Sequence, residues 1–207
     1  QWQLGRQLAA VGQLDQAIAS YRQATLTVQP IRAELTQASS DAVVGEQDTV
    51  KPLFFELADL LLQRASLTDD VHAVDGDLRA ARDAIEAYKT AELRDYFKDE
   101  CVDAVRSRLT TFDRLSADTA VVYPIMFNSR LELLMSLPSG LKRISVPVSA
   151  DQLTQEIRAF RRLVEKRTTR EYLPHAQQLY DWLIRPLEPD LFHQKISTLV
   201  IVPDSAL

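Results

Sequence analysis

The chain has few side chains from which nucleophilic chemistry can be built. Its 207 residues include one cysteine, Cys101, and three histidines, His72, His175 and His193. A cysteine–histidine dyad within this chain would have to combine Cys101 with one of these imidazoles. A reactive thiolate needs a helix N-terminus or a cationic neighbour to lower its pKa. Cys101 instead follows two acidic residues near the predicted end of a helix. We therefore expect it to pack and predict no catalytic residue.

The histidines and acidic residues form no known metal or nucleotide motif. His175 follows Pro174 at a predicted helix start, His193 lies in a proline-bounded predicted loop, and His72 lies in a predicted connector, Thr68–Asp77. An HExxH motif and paired cysteines are missing from the sequence, and the aspartates of the connector fit turn and N-cap positions better than a calcium loop. No glycine-rich phosphate loop occurs. The sequence predicts no metal ligand and no cofactor.

Basic residues are concentrated between Arg158 and Arg170. Such a stripe could bind phosphate or an acidic partner. Glu156, Glu165 and Glu171 are interleaved at helical spacing, so the commoner outcome is a solvent-exposed face with salt bridges. The net charge of -5 argues against nucleic acid as the main partner.

The composition is typical of a folded protein with one or two domains, at 46% hydrophobic and 26% charged residues. Apolar runs such as Leu199–Val202 are much shorter than the roughly 20 residues of a membrane helix, so no membrane partner is predicted. A single cysteine cannot form an internal disulfide, which indicates a reducing, cytoplasmic location.

Helical periodicity extends from Gln1 to about Lys98. A first apolar stripe ends at Gly12, and a second begins at Leu14, which predicts a helical hairpin. Its stripes are Leu4, Leu8 and Val11, and then Leu14, Ile18, Tyr21 and Leu26.

Two longer helices are predicted next. Asp48 or Thr49 can cap the third helix, with Pro52 in its first turn, and the fourth is predicted over Asp77–Lys98. The expected buried positions are Leu53, Leu57, Leu60 and Leu61 in the third, and Leu78, Ala81, Ile85, Tyr88, Leu93, Tyr96 and Phe97 in the fourth.

Strand patterns follow Ser116. Residues 121–127 and 130–135 predict two strands joined by a short polar turn, and the alternating residues 141–148 predict a third. Pro147 suggests that the third strand lies at a sheet edge.

Two helices are predicted after these strands. The first is capped by Ser149 or Asp151, with Leu153 and Ile157 on its apolar side, and the second starts at Pro174. Residues 198–202 then read as a buried strand. The order β-β-β-α-α-β makes the chain α+β, with a helical region at 1–115 and an α/β region at 116–207.

The first hairpin resembles a tetratricopeptide repeat. That repeat carries W-x2-L-G-x2-Y, then A-x3-F, then P. The chain offers Trp2, Leu4, Gly5, Leu8, Ala17, Tyr21, Ala24 and Pro30. Trp2 is one residue too close to Leu4. The small residues would let two helices approach closely while Tyr21 fills the gap. One repeat cannot bury its own faces, so residues 1–36 are expected to end a longer array.

Four further segments resemble bacterial CHAT-type proteins, which join tetratricopeptide repeats to a caspase- or separase-like peptidase domain. They are PLFFELADLLLQ at 52–63, LRAARDAIEAYKTAELRDYFKDEC at 78–101, VVYPIMFNSRLELL at 121–134 and LVIVPDSAL at 199–207. In that family the catalytic His and Cys each follow a later strand of the peptidase core, and no position of this chain matches them.

The resemblance implies the regulatory and structural N-terminal half of a caspase-like cysteine peptidase. The amphipathic pattern at residues 1–5 and the end just after the predicted strand 198–202 lead us to expect fragment boundaries at both ends. The repeat would bind a protein or peptide partner, and residues 116–207 would combine with the remaining C-terminal part of the CHAT domain. The chain alone is expected to be inactive. The alternative is a non-catalytic tetratricopeptide scaffold for protein interactions.

Overall fold

The chain combines helices with a mixed four-stranded sheet, which confirms the α+β class. The computed structural model describes residues 1–38, 47–97, 116–166, 170–204 and 207. The chain divides into two compact units, Gln1–Thr110 and Thr111–Leu207, and each is described by itself. Within the described ranges, no helix combines the length and hydrophobicity needed to cross a bilayer.

The first unit is helical, as predicted. Helix α1 spans Trp2–Ala10, α2 Leu14–Ala38, α3 Gln47–Ala65 and α4 Val71–Phe97. The predicted hairpin is present because Gly12, with φ of 77°, takes a left-handed conformation that ends α1 and turns the chain into α2. The backbone of α2 then stays helical through Pro30, where the repeat pattern predicts an end.

The hairpin packs through its small residues. Gly5, Ala17 and Ala24 are buried, and the ring of Tyr21 lies against Gly5. A Cβ atom added at Gly5 would lie 2.7 Å from Cδ2 of Tyr21. The expected close approach of the two helices is therefore present.

Part of the predicted apolar stripe is not buried. Leu4, Val11 and Leu26 are exposed, Val11 to 70%. The periodicity correctly indicated the hairpin, but within the described residues these positions have no covering neighbour. Burial needs a second surface, which the periodicity of one helix does not specify.

Helix α3 begins earlier than predicted, and two expectations about its start are wrong. It starts at Gln47, so Asp48 and Thr49 are helical and Pro52 lies inside the helix. Its burial extends beyond the predicted stripe because α3 packs against both α2 and α4. The buried residues are Leu53, Phe54, Phe55, Leu57, Ala58, Leu60, Leu61, Leu62 and Ala65.

Helix α4 also begins earlier than predicted, at Val71. The Asp70 carboxylate accepts a hydrogen bond from the His72 backbone N–H at 2.9 Å, and this satisfies a free donor of the first turn. His72 and Asp77 are therefore helical, and the predicted connector ends at Asp70. Leu78, Ala81, Ile85 and Tyr88 are buried as expected. The side chains of Leu93, Tyr96 and Phe97 lie outside the described residues.

The second unit contains a four-stranded sheet of order β3-β2-β1-β4. Strand β1 spans Thr119–Met126, β2 Leu131–Leu137, β3 Gly140–Val146 and β4 Thr198–Ile201. The pairs β1–β2 and β2–β3 are antiparallel, whereas β1 and β4 run parallel with Val121 opposite Val200. The expected edge position of β3 is confirmed.

Helices cover one face of this sheet. Helix α5 spans Ala150–Val164, α6 Leu173–Leu183 and α7 Glu188–His193, with a 3-10 turn at Arg185–Leu187. His193 therefore ends a helix and does not lie in the predicted loop. The core on this face comprises Ala120, Val122, Leu131, Leu133, Met135, Val146, Val148, Leu153, Ile157 and Leu187.

The start of α5 was correctly predicted from the sequence. The Ser149 hydroxyl accepts from the Gln152 backbone N–H at 3.2 Å, and the Gln152 side chain accepts from the Ser149 N–H at 3.0 Å. This reciprocal capping box makes Ser149 the cap, and Asp151, the other predicted cap, lies in the first turn of the helix.

The predicted burial of 198–202 is wrong. Strand β4 lies at the sheet edge and, within the described part of the chain, pairs only with β1. Val200 is 39% and Ile201 49% exposed. An apolar strand pattern indicates a need for burial, but the number of neighbouring strands decides whether burial occurs.

Candidate functional sites

The cysteine and histidines considered for chemistry are not assembled into a site. Cys101 lies outside the described residues. His175 Nδ1 lies 2.6 Å from Glu156 Oε1, a contact that joins α6 to α5. His72 and His193 lie on α4 and α7, in different units. Over the ranges that the structure describes, no three His, Cys, Asp or Glu side chains are grouped as metal ligands would be.

Glu56 on α3 is the centre of a polar network that holds the hairpin. Its carboxylate accepts from Trp2 Nε1 at 2.8 Å, from the Tyr21 hydroxyl at 2.6 Å, and from Arg6 Nη2 at 2.5 Å. The network joins α1 and α2 to α3. Tyr21 belongs both to this network and to the packed interior of the hairpin, because its ring lies against Gly5.

The electrostatics of this network keep Glu56 ionised and Tyr21 neutral. Burial raises the pKa of Glu56, but the hydrogen bonds from Arg6, Tyr21 and Trp2 outweigh it, so its pKa is lowered overall. Burial and the bond to Glu56 raise the pKa of Tyr21. A phenol that resists ionisation is a poor nucleophile, so the arrangement fixes geometry. Sequence reasoning missed it, although an acidic residue within the apolar run 52–62 was a signal.

A charged cleft lies beside α2, α3 and α4. Arg64 donates to Asp77 through Nη2 at 2.5 Å and to Asp15 through Nη1 at 2.7 Å. The hydrogen bond to Asp77 raises the pKa of Arg64. The cleft has a volume of about 520 Å³ and is lined by Asp15, Arg22, Arg64, Thr68, Ala73, Gly76 and Asp77. Because Arg64 on α3 pairs with Asp15 on α2 and with Asp77 on α4, the cluster joins these three helices.

A second buried carboxylate, Glu132, lies in the sheet. Glu132 is 0% exposed, and its carboxylate accepts hydrogen bonds from Arg143 Nη2 at 2.6 Å and from Arg130 Nε at 2.5 Å. Burial raises the pKa of Glu132, but the bonds from Arg143 and Arg130 outweigh this effect and lower it overall. The arginines therefore keep a buried charge in place between β2 and β3. Sequence reasoning did not single out Glu132, although it lies within the apolar segment 131–135.

Among the described residues, no strand pairs with the outer edge of β4. Thr198 N–H donates to the Asp118 carbonyl at 3.1 Å, and Val202 N–H donates to the Val122 carbonyl at 2.9 Å. In a parallel ladder alternate residues bond to the same neighbour. Leu199 and Ile201 therefore direct their N–H and C=O groups away from β1. Asp118 fixes the start of this edge, since its carbonyl also accepts from Ser197 N–H at 2.8 Å.

Arg158, Arg161 and Arg162 form a basic face on α5 beside the buried Leu153 and Ile157, with Arg161 one turn after Ile157. All three arginines are exposed, and among the described residues none of them forms an ion pair. The expected salt-bridged face is therefore wrong for these residues.

Two local features explain why the salt bridges do not form. Glu156 lies three or four residues from none of these arginines, and its carboxylate contacts His175. Glu165 lies C-terminal to Arg161 and Arg162, an orientation that is weaker on a helix than the reverse. The like charges of Arg158 and Arg162, four residues apart, cost the helix about 0.2 to 0.5 kcal/mol.

Comparisons with known proteins do not extend this description. No protein-family model, no curated protein and no solved structure matches the chain.

Proposed function

We propose that this chain is the regulatory and structural part of a CHAT-type, caspase-like cysteine peptidase, whose tetratricopeptide-like helices bind a protein or peptide partner. The observation that carries the proposal is the outer edge of β4. This edge strand is parallel to β1, and its apolar side chains Val200 and Ile201 are exposed. An exposed apolar edge strand offers unpaired backbone groups with which another strand can pair.

The edge is suited to receiving one more strand. Leu199 and Ile201 offer N–H and C=O groups in the direction away from β1, and Pro203 removes the next outward donor. In the CHAT family, the strands that precede the catalytic His and Cys come after the segment resembling 199–207. A strand from that later part of the peptidase core would pair here.

The helical unit supports a binding role. Leu4, Val11 and Leu26 are exposed apolar residues on the hairpin of α1 and α2. A preceding repeat or an apolar partner segment would cover them. The Glu56 network makes this surface rigid, which reduces the conformational entropy lost on binding.

Hydrogen exchange tests the edge directly. The amides of Leu199 and Ile201 should exchange rapidly in the 207-residue chain and become protected when the C-terminal part of the parent protein is present, either in the same chain or added in trans. Equal exchange with and without that part would rule out strand addition at β4.

Two proline variants separate strand addition from simple unfolding. Ile201→Pro removes an outward donor and leaves the bond from Val202 N–H to Val122 in place, so the chain should keep its melting temperature but lose association with the C-terminal part. Val200→Pro removes a donor directed at β1 and leaves its acceptor without a partner, which should destabilise the unit by about 1 to 3 kcal/mol. Association that survives Ile201→Pro would contradict the proposal.

The scaffold alternative is distinguished by activity of the parent protein. A parent with the His and Cys after later strands should hydrolyse peptides, with loss of turnover in the Ile201→Pro variant. A parent that associates and binds partners but shows no turnover would identify the non-catalytic scaffold.

A further inference from the structure

The basic face of α5 carries arginines that form no ion pair among the described residues, although exposed Glu165 follows them. Arg158, Arg161 and Arg162 lie at i, i+3 and i+4, so their side chains leave the same side of the helix. They are exposed and, in the described part of the chain, form no ion pair. Lys166 and Arg170, which follow, are likewise exposed and without an ion pair there. This face is positive in a chain whose net charge is -5.

We infer that this face binds an acidic segment of a partner protein. Guanidinium groups present planar pairs of N–H donors that match the two oxygens of a carboxylate. The three arginines lie within about 6 Å along the helix axis. A matching partner must therefore place two or three carboxylates within a similarly short distance, as glutamates at i, i+3 and i+4 of a helix do.

Two observations favour a protein over a nucleic acid. The net charge of -5 repels a continuous phosphate backbone, whereas a short acidic segment meets only the local positive face. Single-stranded nucleic acids also need aromatic rings on which bases stack. The nearby rings of Phe160 and Tyr172 instead pack edge to face, with centroids 6.5 Å apart.

This surface is independent of the β4 edge. It lies on α5 beside Leu153 and Ile157, which pack on the sheet, and it requires no added strand. Binding of an acidic segment at this face therefore does not depend on the proposed peptidase role.

Binding of a labelled synthetic helix provides the test. The probe is an alanine-rich peptide with glutamates at i, i+3 and i+4, and its control has glutamine at those positions. Fluorescence anisotropy with the intact chain should show binding of the glutamate peptide at about 20 mM salt and several-fold weaker binding at about 200 mM, because exposed charges are screened. The glutamine peptide should bind at least several-fold more weakly.

Two variants with the same change in net charge locate the site. Arg158→Gln with Arg162→Gln should weaken binding by about five- to tenfold, as expected from the loss of two exposed ion pairs. Arg22→Gln with Lys195→Gln removes two exposed cations elsewhere and should change binding less than about twofold. Melting curves of both variants check that folding is intact.

Three results would overturn the inference. They are no binding of the glutamate peptide at low salt, an equal loss of affinity in both double variants, and tighter binding of a single-stranded oligonucleotide that depends on Arg158 and Arg162. The last result would assign the face to nucleic acid.

Discussion

Replacing Gly5 with alanine should destabilise the helical unit, although alanine is the better helix former. The intrinsic preference favours alanine by about 1 kcal/mol. Against this, the new Cβ would lie 2.7 Å from Cδ2 and 2.8 Å from Cε2 of Tyr21. Carbon atoms prefer about 3.5 to 4.0 Å, so the ring would have to move by roughly 1 Å.

Tyr21 cannot easily make that movement. Tyr21 is 2% exposed, and its hydroxyl donates a hydrogen bond to the Glu56 carboxylate at 2.6 Å. Overpacking of this kind typically costs about 1 to 3 kcal/mol. Subtracting the gain in helix propensity leaves a net cost of about 0 to 2 kcal/mol, so we expect Gly5→Ala to reduce the free energy of unfolding by about 1 kcal/mol.

Gly76 provides a matched control for the same chemical change. It lies in α4, and a Cβ added there would have no atom outside its own helix within 4 Å. Gly76→Ala should therefore stabilise the unit by about 0.5 to 1 kcal/mol. The two substitutions are predicted to have opposite signs.

Tryptophan fluorescence during denaturant unfolding measures both effects. The chain has two tryptophans, Trp2 and Trp182. A Trp182→Phe background leaves Trp2, which donates to Glu56, as the reporter of the helical unit. If Gly5→Ala stabilises the unit as much as Gly76→Ala does, the ring of Tyr21 is free to move and the packing argument is wrong.

Three further predictions concern buried charge and activity. Glu132→Gln should reduce the stability of the second unit by about 3 to 5 kcal/mol, because Arg130 and Arg143 lose their carboxylate. The control Glu165→Gln changes an exposed residue and should alter stability by no more than about 0.5 kcal/mol in the same denaturation assay. Similar values for both variants would contradict a role for the network. The pKa of Glu132 is lower in the folded state than its unfolded value of about 4.3, so the stability that Glu132 contributes is present above that value and lost as pH falls through the folded pKa. Acid unfolding monitored by circular dichroism should therefore show a weaker dependence of stability on pH in Glu132→Gln. An unchanged dependence would refute this. The chain alone should hydrolyse no peptide or ester, and turnover abolished by Cys101→Ser would disprove that expectation.

Local sequence signals determined much of the fold. Gly12 marked the hairpin, Ser149 marked the start of α5 as one of two predicted caps, and the polar pair at 128–129 marked the turn between β1 and β2. Each signal works because the interacting backbone groups are only a few residues apart. The periodicity of α1 to α4 likewise identified helices, although it misplaced the starts of α3 and α4.

Tertiary structure alone decided the contacts that define the candidate sites. Trp2 and Glu56 are separated by 54 positions, so the sequence showed a carboxylate in an apolar run but not its partners. The exposure of Val200 and Ile201 depends on how many strands lie beside β4, which their apolar character does not specify. Side-chain type sets which interactions a residue needs, whereas the arrangement of distant elements decides whether those needs are met.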